Sequence, residues 1–457
     1  MNVIHYMIGF PPYRHGGASR YAIDLIKAQK EIGGMNVSIL IPGDTFPSFR
    51  KYPWIKKRKP FDEIPVYSIE NPIIEPLLYG IKDVSYILNG EKSFSTNNLD
   101  NYFTKVRPHV LHLHTLMGIP KSFILYMKTK GVKIVMTSHD YFGLCPKVNF
   151  LDINENCCEC YDGSFCAECN QNSRSKWFLK ICNSDIFLRY KHLLPVRAVN
   201  VSKNSISNST VSRVKIASEK KESYKILLSY YLDFFANIDA IHFNSSVTKR
   251  VFEHFINIPF NSEIIPITTS FIKDRRKEKR FCNRNVKLGF IGGIGLYKGF
   301  PILKSVLIDL NNEGIDNFTL NVWEDGLYGQ DNNCLNIFYK GKYGPNDLDN
   351  VFGEMDLLIV PSVWKETFSL VTMEALSFGV PVLLSSNVGA QDVIKDIFPS
   401  FIFDSKESLY VKLKEVLQSP SILQAYNLNI VRSNTLNLSE NSHALQIVSW
   451  YKKVIAK

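Results

Sequence analysis

The sequence predicts an α/β protein built from two doubly wound, Rossmann-like domains that face each other across a cleft. Its 457 residues are too many for one hydrophobic core, so two or three domains are expected. Short apolar runs alternate with amphipathic stretches, a pattern typical of parallel βαβ units. A hydrophobic content of 45% with 21% charged residues argues against a disordered chain.

The first series of elements opens at the N-terminus. A helix is predicted for ASRYAIDLIKAQKEIGG, which has apolar residues at helical spacing and ends at Gly33 and Gly34, and another for FILYMKTKG. Runs that are apolar throughout predict strands covered on both faces of a sheet. These runs are NVIHYMIGF, NVSILIP, HVLHLHT, KIVMTSHD, IDAIHFNSS and SEIIPITTS.

A second series follows the charged segment FIKDRRKEKRFCNRN, which is typical of an inter-domain linker. Its predicted strands are VKLGFIGGIG, FTLNVWEDG, NIFYKGKYG, DLLIVPS, VPVLLSS and SFIFDS. We therefore predict domains at residues 1–275 and 276–438, with residues 439–457 as a helix that packs back toward the first domain. Ligands of such sheets bind beyond the carboxyl ends of the strands.

A Cys-rich, basic insertion is predicted in the first domain at about residues 145–225. Five of the nine cysteines fall in CCECYDGSFCAEC, and Cys145 lies just upstream. The chain starts without a signal-like segment, so a disulfide framework is not expected. Four thiolates with suitable spacing can hold a structural zinc ion, the alternative being reduced thiols in a loop. The candidate ligands are Cys158, Cys160, Cys166 and Cys169.

The net charge of +11 suggests an anionic partner, although solubility alone also explains it. In RKYPWIKKRKP, Arg50 to Pro60, Trp54 stands beside Lys56, Lys57, Arg58 and Lys59. Such a segment can lie on an anionic membrane surface or form a solvated loop. No apolar run reaches about 18 residues, so we expect a cytoplasmic protein, at most peripheral to a membrane.

Several chemically useful residues follow predicted strands. Gly16 and Gly17 open the first helix and allow the backbone to approach a ligand closely. His139 comes at the end of the strand predicted for KIVMTSHD, where it is expected to face the cleft. In the second domain, the Gly-rich turn around Gly293 precedes Lys298, an arrangement that suits phosphate. It is not a Walker motif, because the Gly and Lys spacing is wrong.

Two glutamates flank a predicted helix start in WKETFSLVTMEALSFGVP, after the strand MDLLIVPS. Phosphates can bind at the helix N-terminus, where N–H groups are unpaired and the dipole is positive. Glu374, two turns inside the helix, can accept hydrogen bonds from a vicinal diol such as a ribose. Glu366, ahead of the helix, would lie on the other side of the phosphates.

Together these segments resemble glycosyltransferase family 4, whose retaining members have the GT-B fold and include bacterial polysaccharide enzymes. The resemblance covers nearly the whole chain and is clearest in GFPPYRHGGASRYAIDL, HVLHLHTLMGIP, VMTSHDYFGLCP, GFIGGIGLYKGF and the E-x7-E element. It implies that Glu374 binds the donor ribose, Glu366 the transferred sugar and Lys298 the diphosphate. It also implies that Gly17, with Gly16, approaches the reaction centre and that His139 contacts the donor sugar.

The resemblance further implies that backbone amides near Phe368, Ser369 and Leu370 face the leaving phosphate. Two positions depart from the family: Gly293 stands where Arg is common, and Ser369 where Gly is frequent. The implied activity is transfer of a hexose from a UDP- or GDP-sugar to a glycan or polyprenyl-diphosphate-linked acceptor, in lipopolysaccharide, O-antigen or capsule synthesis. No catalytic metal cofactor and no nucleic-acid partner are expected.

Two other functions remain open from the sequence. A nucleotide-sugar epimerase of similar two-domain build fits the sheets but not the surroundings of Glu366 and Glu374. A non-catalytic nucleotide-sugar-binding protein is suggested by the departures at Gly293 and Ser369.

Overall fold

A computed structural model describes residues 1–12, 14, 16–45, 52–154, 156–159, 162–190, 218–281, 285–330 and 336–456. Within them, residues up to 264 form an eight-stranded sheet, parallel except for its first pair. Its strands are β1 (Asn2–Tyr6), β2 (Asn36–Pro42), β3 (Trp54–Lys57), β4 (Val66–Glu70), β5 (Val110–Leu113), β6 (Lys133–Thr137), β7 (Ala240–Phe243) and β8 (Glu263–Ile264). They lie in the order β3-β4-β2-β1-β5-β6-β7-β8.

Helices connect these strands and supply much of the first core. Helix α1 buries Tyr21, Leu25 and Ala28 at helical spacing, as its apolar pattern predicts. The helices are α1 (Gly17–Glu31), α2 (Ser85–Leu88), α3 (Thr96–Val106), α4 (Lys121–Thr129), α5 (Cys166–Cys169), α6 (Lys176–Cys182), α7 (Asp185–Tyr190), α8 (Ser218–Phe235) and α9 (Ser246–Glu253).

The second sheet has seven strands among the described residues and is parallel except for the antiparallel β11–β12 pair. Its strands are β9 (Val286–Ile291), β10 (Phe318–Trp323), β11 (Tyr328–Gln330), β12 (Ile337–Lys340), β13 (Leu357–Val360), β14 (Val382–Ser385) and β15 (Ile402–Phe403). They lie in the order β11-β12-β10-β9-β13-β14-β15.

The remaining helices cover this sheet or extend beyond it. They are α10 (Phe300–Asn312), α11 (Leu348–Gly353), α12 (Leu370–Ser377), α13 (Gln391–Ile397), α14 (Lys406–Gln418), α15 (Ser421–Arg432) and α16 (Glu440–Ile455). Short 3₁₀ turns occupy Leu296–Lys298, Pro345–Asp347 and Pro399–Phe401. Two parallel-dominated sheets with their helices confirm the predicted α/β fold class.

Both sheets reverse their strand order at the strand that begins the domain. The neighbours of β1 are β2 and β5, and those of β9 are β10 and β13. Crevices beyond the carboxyl ends of strands at such reversals are the usual ligand sites of doubly wound sheets. The segments after β1, β9 and β13 carry Gly17, Lys298 and Glu366, three of the candidate site residues.

Some sequence predictions need correction. Part of the basic segment at 50–60 is an edge strand, β3, which pairs with β4, while residues 50–51 lie outside the described ranges. The run SEIIPITTS contains only the two-residue strand β8. The segment predicted as a linker also contacts the second domain, since Arg276 donates to the carbonyls of Ile430 and Ser433, and its role as a linker stays a prediction.

The last helix returns to the first domain. His443 of α16 bonds to the Tyr21 hydroxyl at 2.9 Å, and the Trp450 indole N–H donates to the carbonyl of Asn261 at 2.6 Å. Ser439 caps the helix by accepting from the backbone N–H of Ser442. Across the described ranges, no helix has both the length and the apolar character needed to cross a bilayer.

Candidate active site

Glu366 lies in the loop that joins β13 to α12, at the carboxyl end of the strand. One carboxylate oxygen accepts from the Lys298 ammonium at 2.8 Å, and the other accepts from the Ser362 hydroxyl at 2.6 Å. The Lys298 ammonium also lies 5.6 Å from the centre of the Trp364 ring. Lys298 and Glu366 are therefore in direct contact, and the resemblance assigns them to neighbouring parts of the donor, the diphosphate and the transferred sugar.

Lys298, Glu366 and Ser369 line the same pocket at the reversal point of the second sheet. Ser369 precedes α12 with φ 110° and ψ 88°, a backbone conformation that favours glycine. The serine thus keeps the loop in a glycine-like conformation, and its hydroxyl accepts from Thr372 at 3.1 Å. Phe368, beside it, is buried in the core of the second domain.

Two helix N-termini meet at the cleft. A Cβ atom added at Gly17, the first residue of α1, would lie 3.4 Å from the Leu370 side chain, the first residue of α12. Gly16 precedes the pair with φ 142°, which a larger residue rarely adopts. Because helix N-termini carry partial positive charge, this meeting point favours an anionic ligand.

Glu374 is buried inside α12 and has two partners that the sequence did not predict. Its carboxylate accepts from the Tyr343 hydroxyl at 2.9 Å and lies 3.9 Å from the guanidinium of Arg20, which comes from the other domain. Burial raises the pKa of Glu374, and Tyr343 and Arg20 act against that rise. Arg20 lies in the quoted segment GFPPYRHGGASRYAIDL, but only the fold reveals that it and Tyr343 contact Glu374.

Tyr297 accounts for the space at Gly293. Its hydroxyl lies 2.7 Å from where a Cβ atom at position 293 would stand, so a side chain there would displace the tyrosine. An arginine, which the resemblance leads one to expect at this position, therefore cannot be accommodated without moving Tyr297. The sequence showed that position 293 lacks an arginine, but it did not show that Tyr297 fills the space where that side chain would lie.

His139 is the last member of a buried chain of hydrogen bonds. Its Nε2 atom lies 3.2 Å from His114 Nδ1, and His114 Nε2 lies 3.1 Å from His5 Nδ1. His5 Nε2 then lies 3.0 Å from Gln29 Oε1. The chain continues through Tyr451, His112, Thr137 and His242 to the backbone carbonyl of Ile265.

The Ile265 carbonyl fixes the direction of every bond in this chain. A carbonyl only accepts, so His242 donates through Nε2 and accepts through Nδ1 from the Thr137 hydroxyl. The same reasoning, applied link by link to neutral rings, makes Nε2 the donor of His112, His5, His114 and finally His139. The ring proton positions are thus assigned from the hydrogen-bond network.

Neutral rings are expected because burial lowers the pKa of each histidine. The pKa falls to about 4 for His5 and His242 and to about 3 for His139. Among the described residues no hydrogen bond is formed by the Nδ1 atom of His139, and the residue is half-buried. His139 therefore presents a hydrogen-bond acceptor, not a donor.

One ring nitrogen from each of His5, His112 and His114 lies within 4.8 Å of the other two, the one such ligand group in the described part of the chain, although the three rings carry six nitrogens in all. All six of these nitrogens already take part in the hydrogen bonds of the chain. A metal ion would have to replace those bonds, so the cluster is better explained as a structural network.

Thr367, next to Glu366, ties the site to the first domain. Its hydroxyl donates to the carbonyl of His139 at 3.1 Å, and its own carbonyl accepts from the Ser245 hydroxyl at 2.8 Å. Nearby, the backbone N–H and hydroxyl of Ser246 both donate to Asp392 at 2.6 Å. These contacts join the donor-side loop to the first sheet, and sequence motifs gave no indication of them.

Comparison with known proteins agrees with this architecture. Residues 275–430 match the family model described as Glycosyl transferases group 1. The fold is similar to sucrose-phosphate synthase from Thermosynechococcus elongatus, with a TM-score of 0.57, 13% identity and 100% coverage of both chains. No curated protein matches the sequence.

Two further similar structures contain ligands. An E. coli structure described as trehalose-6-phosphate bound with UDP-2-fluoro glucose has a TM-score of 0.56, 11% identity and 99% coverage of both chains. Anabaena HepE in complex with UDP and glucose has a TM-score of 0.53, 13% identity and 98% coverage of both chains. At these identities the likeness establishes the GT-B fold.

The chain has the GT-B fold of glycosyltransferases, and its second domain contains the residues that match the model of the group 1 glycosyl transferases.

Proposed function

We propose that this enzyme is a retaining glycosyltransferase that moves a hexose from a UDP- or GDP-sugar to a hydroxyl group of a glycan or lipid-linked glycan. The observation that carries the proposal is that Lys298, Glu366 and Ser369 line one pocket. Glu374 lies in α12, the helix that begins directly after Ser369. This arrangement provides a cation and a helix N-terminus for phosphates and a carboxylate on either side.

Glu366, which lines this pocket, accepts hydroxyls of the transferred sugar, and Glu374, inside the helix beyond the pocket, accepts the ribose hydroxyls. Lys298 and the N–H groups of Phe368, Ser369 and Leu370 bind the diphosphate. The similar structures that hold UDP-2-fluoro glucose, or UDP and glucose, support a nucleotide-sugar as donor. His139 accepts a hydrogen bond from a sugar hydroxyl through Nδ1.

The chemistry needs positioning and charge stabilisation more than a protein nucleophile. As the bond to the sugar breaks, negative charge grows on the leaving diphosphate, which Lys298 and the end of α12 stabilise. A diphosphate oxygen takes the acceptor proton on the face from which the diphosphate leaves, so the sugar keeps its configuration. The domain contacts through Thr367 exclude water from this step. Catalysis requires no metal ion in this scheme.

The acceptor binds on the first domain, which faces Glu366 and Lys298 across the cleft. We place the reaction in cell-surface polysaccharide synthesis, with lipopolysaccharide O-antigen or capsule as the product class and a polyprenyl diphosphate as one carrier. A cytoplasmic enzyme at the inner membrane face fits this role. Trp54, Lys56, Lys57 and Lys59 would contact anionic lipid, whereas Arg58 is occupied by Glu70 and Asp185.

The test is a screen of nucleotide-sugars by their protection of the enzyme against heat unfolding, followed by transfer assays with the donor that protects best. Proton NMR of the first-formed product gives the anomeric configuration of the transferred sugar. We expect UDP or GDP release that depends on acceptor, with the donor's anomeric configuration kept.

Each other outcome contradicts a stated part of the proposal. An inverted anomer would exclude the retaining mechanism. Sugar epimers formed without acceptor would indicate an epimerase, and donor binding without turnover across glycan and lipid-linked acceptors would indicate a binding protein.

A further inference from the structure

Four cysteines of the first domain line one cavity. They are Cys145, Cys158, Cys166 and Cys169. Cys166 and Cys169 stand one helical turn apart at the two ends of α5, and Cys158 belongs to the hairpin that follows Cys145. The sequence had grouped Cys160 with the last three, and Cys160 lies outside the described residues. Cys145 is therefore the fourth thiol in the cavity, although the spacing of the cysteines in the sequence did not indicate it.

Hydrogen-bonded turns hold Cys145 in the wall of the cavity. Its backbone N–H donates to the Tyr141 carbonyl at 2.8 Å, and its own carbonyl accepts from the Val148 N–H at 3.0 Å. Val148 and Phe150 adopt φ values of 61° and 51°, which are uncommon for such side chains. These turns place Cys145, Lys147 and Phe150 together along the cavity.

The four thiols form a set suited to tetrahedral thiolate coordination. No three of the described sulfurs lie within 4.8 Å of one another, so coordination requires their side chains to turn inward. Cysteine side chains rotate about a single bond, and all four residues face the same small space. Thiolate ligands bind zinc at about 2.3 Å, and a site with four of them is closed to water and structural.

We propose that Cys145, Cys158, Cys166 and Cys169 bind one structural zinc ion. Lys147 lines the same cavity as the four cysteines. It would partly balance the charge of a tetrathiolate zinc centre. The inference is independent of the donor, acceptor and stereochemistry proposed above.

Zinc would also fix a contact between the domains. Leu151 pairs with Cys157 in the hairpin between two of the ligands, and the Cys157 thiol donates to the Val363 carbonyl at 3.0 Å. Val363 lies three residues before Glu366 in the loop of the active site. An ion that holds Cys158 therefore also holds its neighbour against that loop.

The experiment measures metal in the full-length enzyme produced with zinc in the growth medium. We expect about one equivalent of zinc by mass spectrometry. After replacement of zinc by cobalt, intense absorption from thiolate ligands should appear. Cys145→Ser, Cys158→Ser, Cys166→Ser and Cys169→Ser should each weaken this absorption and lower the zinc content.

Matched controls separate this ligand set from the others. Cys157→Ser, whose thiol bonds to Val363, and Cys182→Ser, which does not line the cavity, should retain zinc. Cys160→Ser should also retain it. Retention of full zinc by Cys145→Ser, loss by Cys160→Ser, iron with sulfide in place of zinc, or a wild-type enzyme without metal would each overturn the proposal. Circular dichroism of each variant identifies those that lose zinc only because they do not fold.

Discussion

Glu366 and Glu374 have different partners, so their substitutions should have different effects. Glu374→Gln removes the charged acceptor proposed for the ribose and should weaken UDP or GDP binding about 10- to 100-fold. Glu366→Gln leaves Lys298 without its 2.8 Å partner and should lower kcat more than nucleotide affinity. Calorimetric titration and steady-state rates measure the two effects.

The exposed Glu354 supplies a control for this pair, because Glu354→Gln removes a carboxylate far from either role. This control substitution should leave nucleotide affinity and kcat unchanged. Unaltered nucleotide affinity and full activity in both active-site variants would contradict the assigned roles.

Thr137 is the link through which the Ile265 carbonyl sets the tautomer of His139. Thr137→Val keeps the side-chain shape but breaks the chain, so the remaining bonds can reverse when the Gln29 amide turns over and exchanges its oxygen and nitrogen. We expect nitrogen NMR of the His139 ring to change from one neutral tautomer to a mixture. The kcat/KM value for the donor should fall several-fold while UDP affinity stays the same.

Thr137→Ser retains the hydroxyl and should behave like the wild type in both measurements. Loss of UDP affinity in Thr137→Val would indicate a general structural defect. A single unchanged tautomer in that variant would show that the chain does not determine it.

At the scale of single elements, the start of α12 retains a strained residue. Ser369 has φ 110°, which costs a non-glycine residue about 1–3 kcal/mol, whereas its bond from Thr372 returns part of that cost. Ser369→Gly should therefore raise the free energy of unfolding by about 1 kcal/mol, measured by urea denaturation. Ser377→Gly, at the other end of α12 without a positive φ, should lower it by about as much. Equal effects of the two changes would contradict strain at Ser369.

The edge strand β3 carries the proposed membrane contact. Lys56, Lys57 and Lys59 are exposed, and each lysine near an anionic surface contributes about 1 kcal/mol of binding free energy. Replacing all three by Gln should reduce sedimentation with anionic vesicles by about 100-fold in partition coefficient. Added salt should also weaken binding by the wild type.

Three exposed lysines elsewhere, Lys105, Lys395 and Lys452, provide a variant of equal charge change. That variant should still sediment with the vesicles. An equal loss of vesicle binding in both triple variants would show that only net charge matters. If the wild type does not bind the vesicles at low salt, β3 is not a membrane-binding surface.

At the scale of the whole molecule, the buried histidines should make the fold sensitive to mild acid. Six histidines with lowered pKa values remain neutral when folded but take up protons near pH 6.5 when unfolded. They are His5, His112, His114, His139, His242 and His443. Their contribution to stability is present above pH 6.5 and is lost as the pH falls toward 4.

Carboxyl groups oppose this trend, because burial raises the pKa to about 7 for Glu75 and Glu440 and to about 6 for Asp140, and it also raises the pKa of Asp24, Asp356 and Glu374. The unfolded chain should then bind at most about three more protons than the folded one near pH 5.5, a slope of at most about 4 kcal/mol per pH unit. Urea denaturation from pH 7.5 to 5 measures the slope, and His443→Gln should reduce it by about one proton. A free energy of unfolding that does not change over this range would contradict the neutral histidine chain.

Much of this arrangement could be predicted from particular sequence segments. Runs such as KIVMTSHD and DLLIVPS identified buried parallel strands, because strands covered on both faces are apolar throughout. Lys298 and Glu366 were found because the residues that follow such strands meet at one edge of the sheet. The strands β3, β4 and β11 were missed. Strands β3 and β11 lie at sheet edges and lack a continuous apolar run, whereas β4 is an internal strand whose short sequence VYSIE is interrupted by polar residues.

By itself, the sequence determined the α/β class, the two series of elements and the residues at the strand ends, since local periodicity and chain order control these features. Only the tertiary structure decided that Arg20 and Tyr343 contact Glu374, that Tyr297 fills the space beside Gly293 and that Cys145 joins the cysteine cavity. It also decided the direction of hydrogen bonding at His139, from residues as distant in sequence as Gln29 and Tyr451. These contacts depend on packing between distant segments, which leaves no periodic pattern in either partner.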